Sequence, residues 1–213
     1  MLFIFAAIIL TAHAASYGVD IAESISTSSI QCLRNLGFNS FFIFRAWRSL
    51  GSFDPNAKSI NENALAAGFS AKNIDAYFYP CYSCGDPAGQ VKSFWNQVTS
   101  KKLKFERLWF DIEGKWSSSK SSNRKFFESL TNEAAAIGIK SGIYASYYNW
   151  EDIVGLDYKF SRAGSWPIWY PHYDGKKTFS DFKSFGGWTS PYMKQYNGDM
   201  TACSHDVDYN YRP

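Results

Sequence analysis

The segment Leu108-Trp109-Phe110-Asp111-Ile112-Glu113-Gly114 sets two carboxylates two residues apart inside an aromatic and aliphatic run. Side chains alternate along an extended strand, so Trp109, Asp111 and Glu113 share one face while Leu108, Phe110 and Ile112 take the other. The aliphatic face can pack against helices, which leaves two acids at the end of a buried strand that Gly114 stops. Burying carboxylates without partners is costly. At a solvated strand end the pair would simply face water. In a cleft it supplies general acid chemistry: one carboxyl of raised pKa protonates a leaving oxygen while the other carboxylate stabilises positive charge.

Such a pair works only if other elements bring partners to it. Short apolar strand signals alternate along the chain with amphipathic stretches, the pattern of parallel α/β architecture. Strands are predicted at residues 17–21, 40–45, 75–79, 141–145, 167–170, 192–196 and 206–210, besides the acid-bearing one. Helices are predicted from Ser26 or Ser28 to Leu36, near 61–69, from Asp86 or Pro87 to Thr99, and over 124–137. In the final third the helices are short or absent. The expected fold is a single α/β, modified TIM-like barrel of the (β/α)5(β)3 type, opening with βα units and closing on plainer strands.

In such barrels the reactive residues sit at the C-terminal strand ends, around one mouth. Asp20 ends the first strand, with Val19 and Ile21 pointing the other way. On the last strand Asp206, Asp208 and Asn210 share a face opposite Val207 and Tyr209. Closure makes the first and last strands neighbours, so Asp20 should lie beside Asp208. Any one of these acids could be a helix cap or a surface residue. Together, Asp20, Asp111, Glu113 and Asp208 face one cavity.

The chain opens with the apolar run 2–10, followed by the small-x-small site Ala12-His13-Ala14. This reads as a cleaved signal peptide over 1–14, too short to span a membrane, although no Lys or Arg precedes the apolar core. The expected mature domain is 15–213, secreted or lumenal, with no membrane partner. The 8 Trp, 14 Tyr and 18 Phe serve as core filler and as platforms for sugar rings. A net charge of +3 fits contact with an anionic polymer but is too weak for nucleic acid. The run Lys101-Lys102-Leu103-Lys104 reads as a solvated helix end. The 4 cysteines admit three disulfide connectivities. The expected one joins Cys81 to Cys84 locally and Cys32 to Cys203 across the chain. A zinc site is disfavoured because no second C-x-x-C or His cluster accompanies Cys81 and Cys84. Of the 3 histidines, His172 and His205 lie in unrelated segments and read as ordinary polar residues, so no metal is expected.

The whole mature chain resembles the lysozymes of glycoside hydrolase family 25, the Chalaropsis-type muramidases, and especially their protist and nematode branch. The resemblance is carried by Tyr17-Gly18-Val19-Asp20, Tyr77-Phe78-Tyr79-Pro80-Cys81, Trp109-Phe110-Asp111-Ile112-Glu113-Gly114, Gly142-Ile143-Tyr144, Pro167-Ile168-Trp169, Gln195-Tyr196 and Val207-Asp208-Tyr209-Asn210. It implies that Glu113 is the general acid and that Asp111 orients the substrate's N-acetyl group as an internal nucleophile. Asp20 and Asp208 would be supporting acids, and Tyr77, Tyr144 and Trp169 would line a sugar-binding groove. Two departures are Arg45, where many relatives carry lysine, and residues 172–187, which do not align by eye.

The resemblance further implies a monomeric enzyme without cofactor that acts on bacterial peptidoglycan. It would cut the β-1,4 bond between N-acetylmuramic acid and N-acetylglucosamine, in an antibacterial or digestive role, outside the cell or in phagosome-like or lysosome-like vesicles or granules. Acids at i and i+2 approach one side of a sugar, which suits substrate-assisted retention better than an inverting pair on opposite faces. Their closeness would also raise one pKa and favour a protonated Glu113. Two other readings are a chitinase-type hydrolase, whose Asp-x-x-Asp-x-Asp-x-Glu strand is missing here, and a non-catalytic carbohydrate-binding barrel.

Overall fold

The computed structural model describes residues 15–213. The expected signal peptide, 1–14, lies outside them. Nine strands form one sheet: β1 (Ser16–Ile21), β2 (Phe41–Arg48), β3 (Ser52–Phe53), β4 (Ile74–Phe78), β5 (Arg107–Asp111), β6 (Ser141–Tyr144), β7 (Ile168–Pro171), β8 (Met193–Ala202) and β9 (His205–Arg212). From β1 through β2, β4, β5, β6, β7 and β8 the neighbours are parallel. Strand β9 then runs antiparallel to both β8 and β1 and closes an eight-stranded barrel. The short β3 folds back on β2 outside it.

Five helices cover the parallel part: α1 (Thr27–Asn35), α2 (Ala57–Ala66), α3 (Pro87–Lys101), α4 (Lys120–Ile137) and α5 (Tyr147–Ile153). Their starts follow local chemistry. Ser26, Asp86, Ser119 and Ser146 each accept a hydrogen bond from a backbone N–H of the first turn, and Pro87 follows Asp86. The order is that of the (β/α)5(β)3 barrel expected from the sequence.

Several boundaries differ from that expectation. Helix α2 starts and ends a few residues earlier than 61–69, because the chain turns at Gly68 (φ 96°). Helix α4 begins at Lys120, inside what reads as a Ser/Lys-rich loop, because Ser119 caps it. Helix α5 was not expected: with only Trp150 and Ile153 buried, it is too short to show a period. Strands β8 and β9 are longer than predicted and joined by Cys203 and Ser204, both left-handed (φ 51° and 65°). A two-residue hairpin turn of this kind usually announces itself by Asn-Gly or Asp-Gly, which Cys-Ser does not. Cys203 is bonded to Cys32 on α1, and Cys81 to Cys84, as expected.

The alternation read from the sequence organises two apolar layers. Val19, Ile21, Leu108, Phe110, Ile112 and Val207 face outward into the main core beneath the helices. Phe41, Ile43, Trp109, Tyr144, Trp169 and Met193 fill the barrel interior. Gly142 makes room there, since a Cβ on it would lie 2.5 Å from the Trp109 ring. These large rings plug the barrel's lower part and leave its C-terminal mouth to polar residues.

Candidate active site

The mouth holds a cavity of about 100 Å³. All four acids and all three aromatic residues singled out from the sequence line it, joined by Gln195 and Tyr173. Asp20 and Asp208 stand directly opposite one another in the β1–β9 ladder, as barrel closure requires. The Gln195 Nε2 amide donates to Oδ2 of both, at 2.9 Å each. Asn210 Nδ2 donates a further bond of 2.6 Å to Asp20 Oδ2, and the Asp199 backbone N–H donates to Asp208 Oδ1 at 2.8 Å. Gln195 Oε1 in turn accepts from the Tyr144 and Tyr173 hydroxyls at 2.7 and 2.9 Å. Every polar group of this amide is engaged, so its orientation is determined by its neighbours.

Asp111 ends β5 and is buried, with Oδ1 lacking any hydrogen-bond partner. Glu113 lies two residues past the end of the strand, not on it as the alternation alone suggests. The Ile112 N–H still bonds to the Tyr144 carbonyl at 2.8 Å, which keeps the chain extended to that point. Trp116 Nε1 then donates to the Glu113 carbonyl at 3.1 Å and closes a turn. Gly114 is needed in that turn twice over: its φ is 72°, and a Cβ would lie 2.5 Å from the Tyr79 hydroxyl. Glu113 also lines a wider groove with Tyr79, Tyr82, Lys115 and Trp116, so it stands between this groove and the cavity.

The four acids share one electrostatic character. Burial pushes the Asp20 and Asp111 carboxyls well above the ordinary range. Asp208 adds to the rise at Asp20 while the Asn210 and Gln195 amides oppose it; Glu113 and Asp20 add to it at Asp111 while Arg45 opposes it. Glu113 is raised by burial first and by the charge of Asp208 second. Glu113 in turn is the first charge that raises Asp111, so the closeness of the two acids read from the strand does lift one of them, and Asp208 across the mouth adds a second like charge. Asp208 itself is pushed up to about 6, chiefly by burial. Arg45 donates to Asp54 Oδ2 at 2.7 Å and to the Ala22 carbonyl at 2.9 Å.

The expected groove residues fall into two kinds. Tyr77 is half-buried on β4, and burial raises its phenol pKa well above the usual value, so it stays neutral. Tyr144 and Trp169 are packed edge to face at 4.5 Å, and Trp169 Nε1 donates to Asn210 Oδ1 at 2.8 Å. Gln195, Asn210 and Tyr173 were not among the site residues read from the sequence. Gln195 was within reach: it shares the inward face of β8 with Met193, and a polar side chain at an inward position asks for a partner. Tyr173 had no such signal, because it sits in an irregular segment.

Among the described residues, His172, Asp174 and Asp181 approach closely enough to share a cation. The cation they face is the Lys194 ammonium, 2.8 Å from Asp174 Oδ1 and 2.9 Å from Asp181 Oδ1. His205 pairs with Glu23 at 2.9 Å, away from the mouth.

A family model described as Lysozyme-like protein 1 matches residues 11–196. Lysozyme-like protein 5 of Caenorhabditis elegans is 43% identical over 94% of this chain and 93% of its own length. Probable GH family 25 lysozyme 5 of Dictyostelium discoideum is 38% identical over 99% of this chain and 96% of its own. Among solved structures, a family GH25 lysozyme from Aspergillus fumigatus superimposes with a TM-score of 0.73 at 17% identity, over 94% of each chain. The modular Cpl-1 endolysin, solved with a peptidoglycan analogue, does so with a TM-score of 0.63 at 16% identity, over 92% of this chain and 54% of that one.

Proposed function

Because this chain belongs to the glycoside hydrolase family 25 lysozymes, we propose that its cavity binds an N-acetylated sugar of bacterial peptidoglycan, with Glu113 protonating the departing glycosidic oxygen. The observation that carries this assignment of roles is the position of Glu113 between the cavity and the neighbouring groove, with its carboxyl raised by burial and by Asp208. A sugar seated in the cavity and its neighbour in the groove would present the bond between them to that acid.

Asp111 supplies the second half. Its carboxyl lines the cavity, where an acetamido N–H would donate to it. On this reading the acetamido carbonyl oxygen attacks the anomeric carbon as Glu113 delivers its proton to the leaving oxygen. Asp111 holds the positive charge that develops on the amide nitrogen. The glutamate so formed then takes a proton from water, which opens the cyclic intermediate from the face the leaving group vacated, and configuration is retained. Asp20 and Asp208, bridged by Gln195, keep negative charge beside the site and the Glu113 proton in place.

The supports for a secreted or vesicular setting are the sequence of residues 1–14 and two disulfides, which persist in oxidising compartments. Among the described residues no helix is long and apolar enough to cross a membrane. An antibacterial or digestive role fits that setting.

The test is turbidity loss of a bacterial wall suspension, wild type beside Glu113→Gln, with mass spectrometry of the released fragments. Clearing with reducing N-acetylmuramic acid ends, lost by about 10²–10⁴-fold in the variant, is the expected result. Reducing N-acetylglucosamine ends would mean a glucosaminidase, and wall binding without clearing a non-catalytic barrel. An inverted first product by NMR would exclude acetamido participation.

A further inference from the structure

Two of the aromatic residues at the mouth offer little ring surface. Tyr144 is 6% and Trp169 2% exposed, each with its edge tied into the barrel. Tyr173 differs, being 56% exposed at the rim of the same cavity. Its hydroxyl donates to Gln195 Oε1 at 2.9 Å, and its ring lies on Gly198, where a Cβ would come within 2.7 Å of it. The ring is thus open toward the mouth and prevented from tilting away.

We propose that Tyr173 is a stacking platform for a sugar ring at the cavity rim, and that the buried Lys194, through Asp174 and Asp181, is the positioning residue that holds it there. The proposal rests on the glycan reading of the cavity and extends it to residues that reading did not include. Stacking on an aromatic face is a general means of holding the apolar face of a pyranose.

The clamp follows from alternation on both sides. Tyr173 points to the mouth, and its neighbours His172 and Asp174 turn the other way, toward Lys194. On β8 Lys194 points out of the barrel while Gln195, the next residue, points in and takes the Tyr173 hydroxyl. One dipeptide therefore holds the segment from both faces. Lys194 is wholly buried, its ammonium also 5.9 Å from the centre of the Tyr170 ring. Asp181 accepts from the Tyr170 hydroxyl at 3.1 Å and pairs with His172 Nδ1 at 2.6 Å. Backbone bonds from His172 to the Gln195 carbonyl and from Gly175 to the Tyr196 carbonyl seat the strip along β8. Phe179 and Phe182 pack on Tyr170 further along, so Asp174 is the side chain that ties down the Tyr173 end. A buried ammonium adds little net stability over an apolar residue, but it demands its partners at fixed distance and direction. That demand is what a rim platform needs.

The experiment is titration of chitotetraose into Glu113→Gln protein, followed by calorimetry, so that binding is read without turnover. In that background Tyr173→Ala is expected to weaken binding by about five- to tenfold. The triple variant Lys194→Met/Asp174→Asn/Asp181→Asn, which removes the charges together and strands none, is expected to weaken it comparably. Adding Tyr173→Ala to the triple variant should cost nothing more. In the Glu113-containing enzyme the same changes raise KM by more than they lower kcat, the Tyr144 hydroxyl still holding Gln195. Should the triple variant not fold, Asp174→Asn alone, which leaves Lys194 paired with Asp181, carries the same expectation at smaller size. Full affinity in Tyr173→Ala overturns the platform. Full affinity in the clamp variants, with lowered thermal stability only, overturns the positioning role. No binding by Glu113→Gln itself overturns the glycan reading and the platform with it.

Discussion

Asp20 and Asp208 face each other across the β1–β9 ladder and accept hydrogen bonds from one and the same Gln195 amide, at 2.9 Å each. Two like charges this close would repel, and the shared donor is what holds them side by side. Gln195→Leu removes both bonds. It is expected to lower kcat by about ten- to a hundredfold, the cost of taking one donor from each of two acids, which keep only the Asn210 amide and the Asp199 N–H. Gln195→Glu, similar in size but unable to donate to both acids, should lose at least as much at neutral pH. Steady-state kinetics on soluble wall fragments checks both.

Asp111 makes the opposite trade. Its buried Oδ1 has no partner in the protein, so Asp111→Asn should stabilise the fold by about 1–3 kcal/mol at neutral pH while cutting kcat by about 10²–10³-fold. The gain depends on pH with a definite sign. The unfolded chain releases this proton near pH 4, whereas burial makes the folded chain hold it to higher pH. Stability from this group is therefore complete below that value and is lost as pH rises through the folded-state pKa. Urea denaturation should show the variant's advantage absent at low pH and growing as pH rises.

Asp208 should set the alkaline side of the activity profile. Burial and the Asp208 charge both keep Glu113 protonated, as a general acid must be. In Asp208→Asn the charge is gone and Glu113 loses its proton at lower pH. The alkaline limb of kcat/KM should move to lower pH, with activity at neutral pH falling by about tenfold and acidic activity falling less. A limb that stays in place would show that burial alone tunes Glu113.

The two disulfides should differ in weight. Cys32–Cys203 closes a loop with a sequence separation of 171, while Cys81–Cys84 spans 3. Chain entropy gives about 5 kcal/mol for a loop of the first size and about 2 kcal/mol for one of the second. Cys32→Ala/Cys203→Ala should accordingly lower the urea midpoint much more than Cys81→Ala/Cys84→Ala.

Much of this protein is legible in its sequence because the relevant rules are local. Strand alternation sorts Val19, Leu108, Phe110 and Val207 from Asp20, Trp109, Asp111 and Asp208, and the structure keeps the two sets on opposite faces. Barrel closure, a topological rule, puts Asp20 beside Asp208. Ser26 and Asp86 mark helix starts through bonds that reach only three residues ahead.

Other features depend on contacts that no local rule reaches. Glu113 leaves the strand because Gly114 must pass the Tyr79 hydroxyl, 35 residues away in sequence. Its carboxyl is raised by Asp208 from across the mouth and itself raises Asp111 beside it, and only the folded barrel brings Asp208 there. Gln195 becomes the hub of the site only when β1, β6, β9 and the 172–187 segment converge on its amide. The sequence by itself determined the barrel and the identity of its acids, because backbone periodicity and strand order are short-range constraints. Tertiary structure alone decided which donor each acid shares and how firmly each holds its proton, because hydrogen bonding and desolvation depend on distances between residues far apart in the chain.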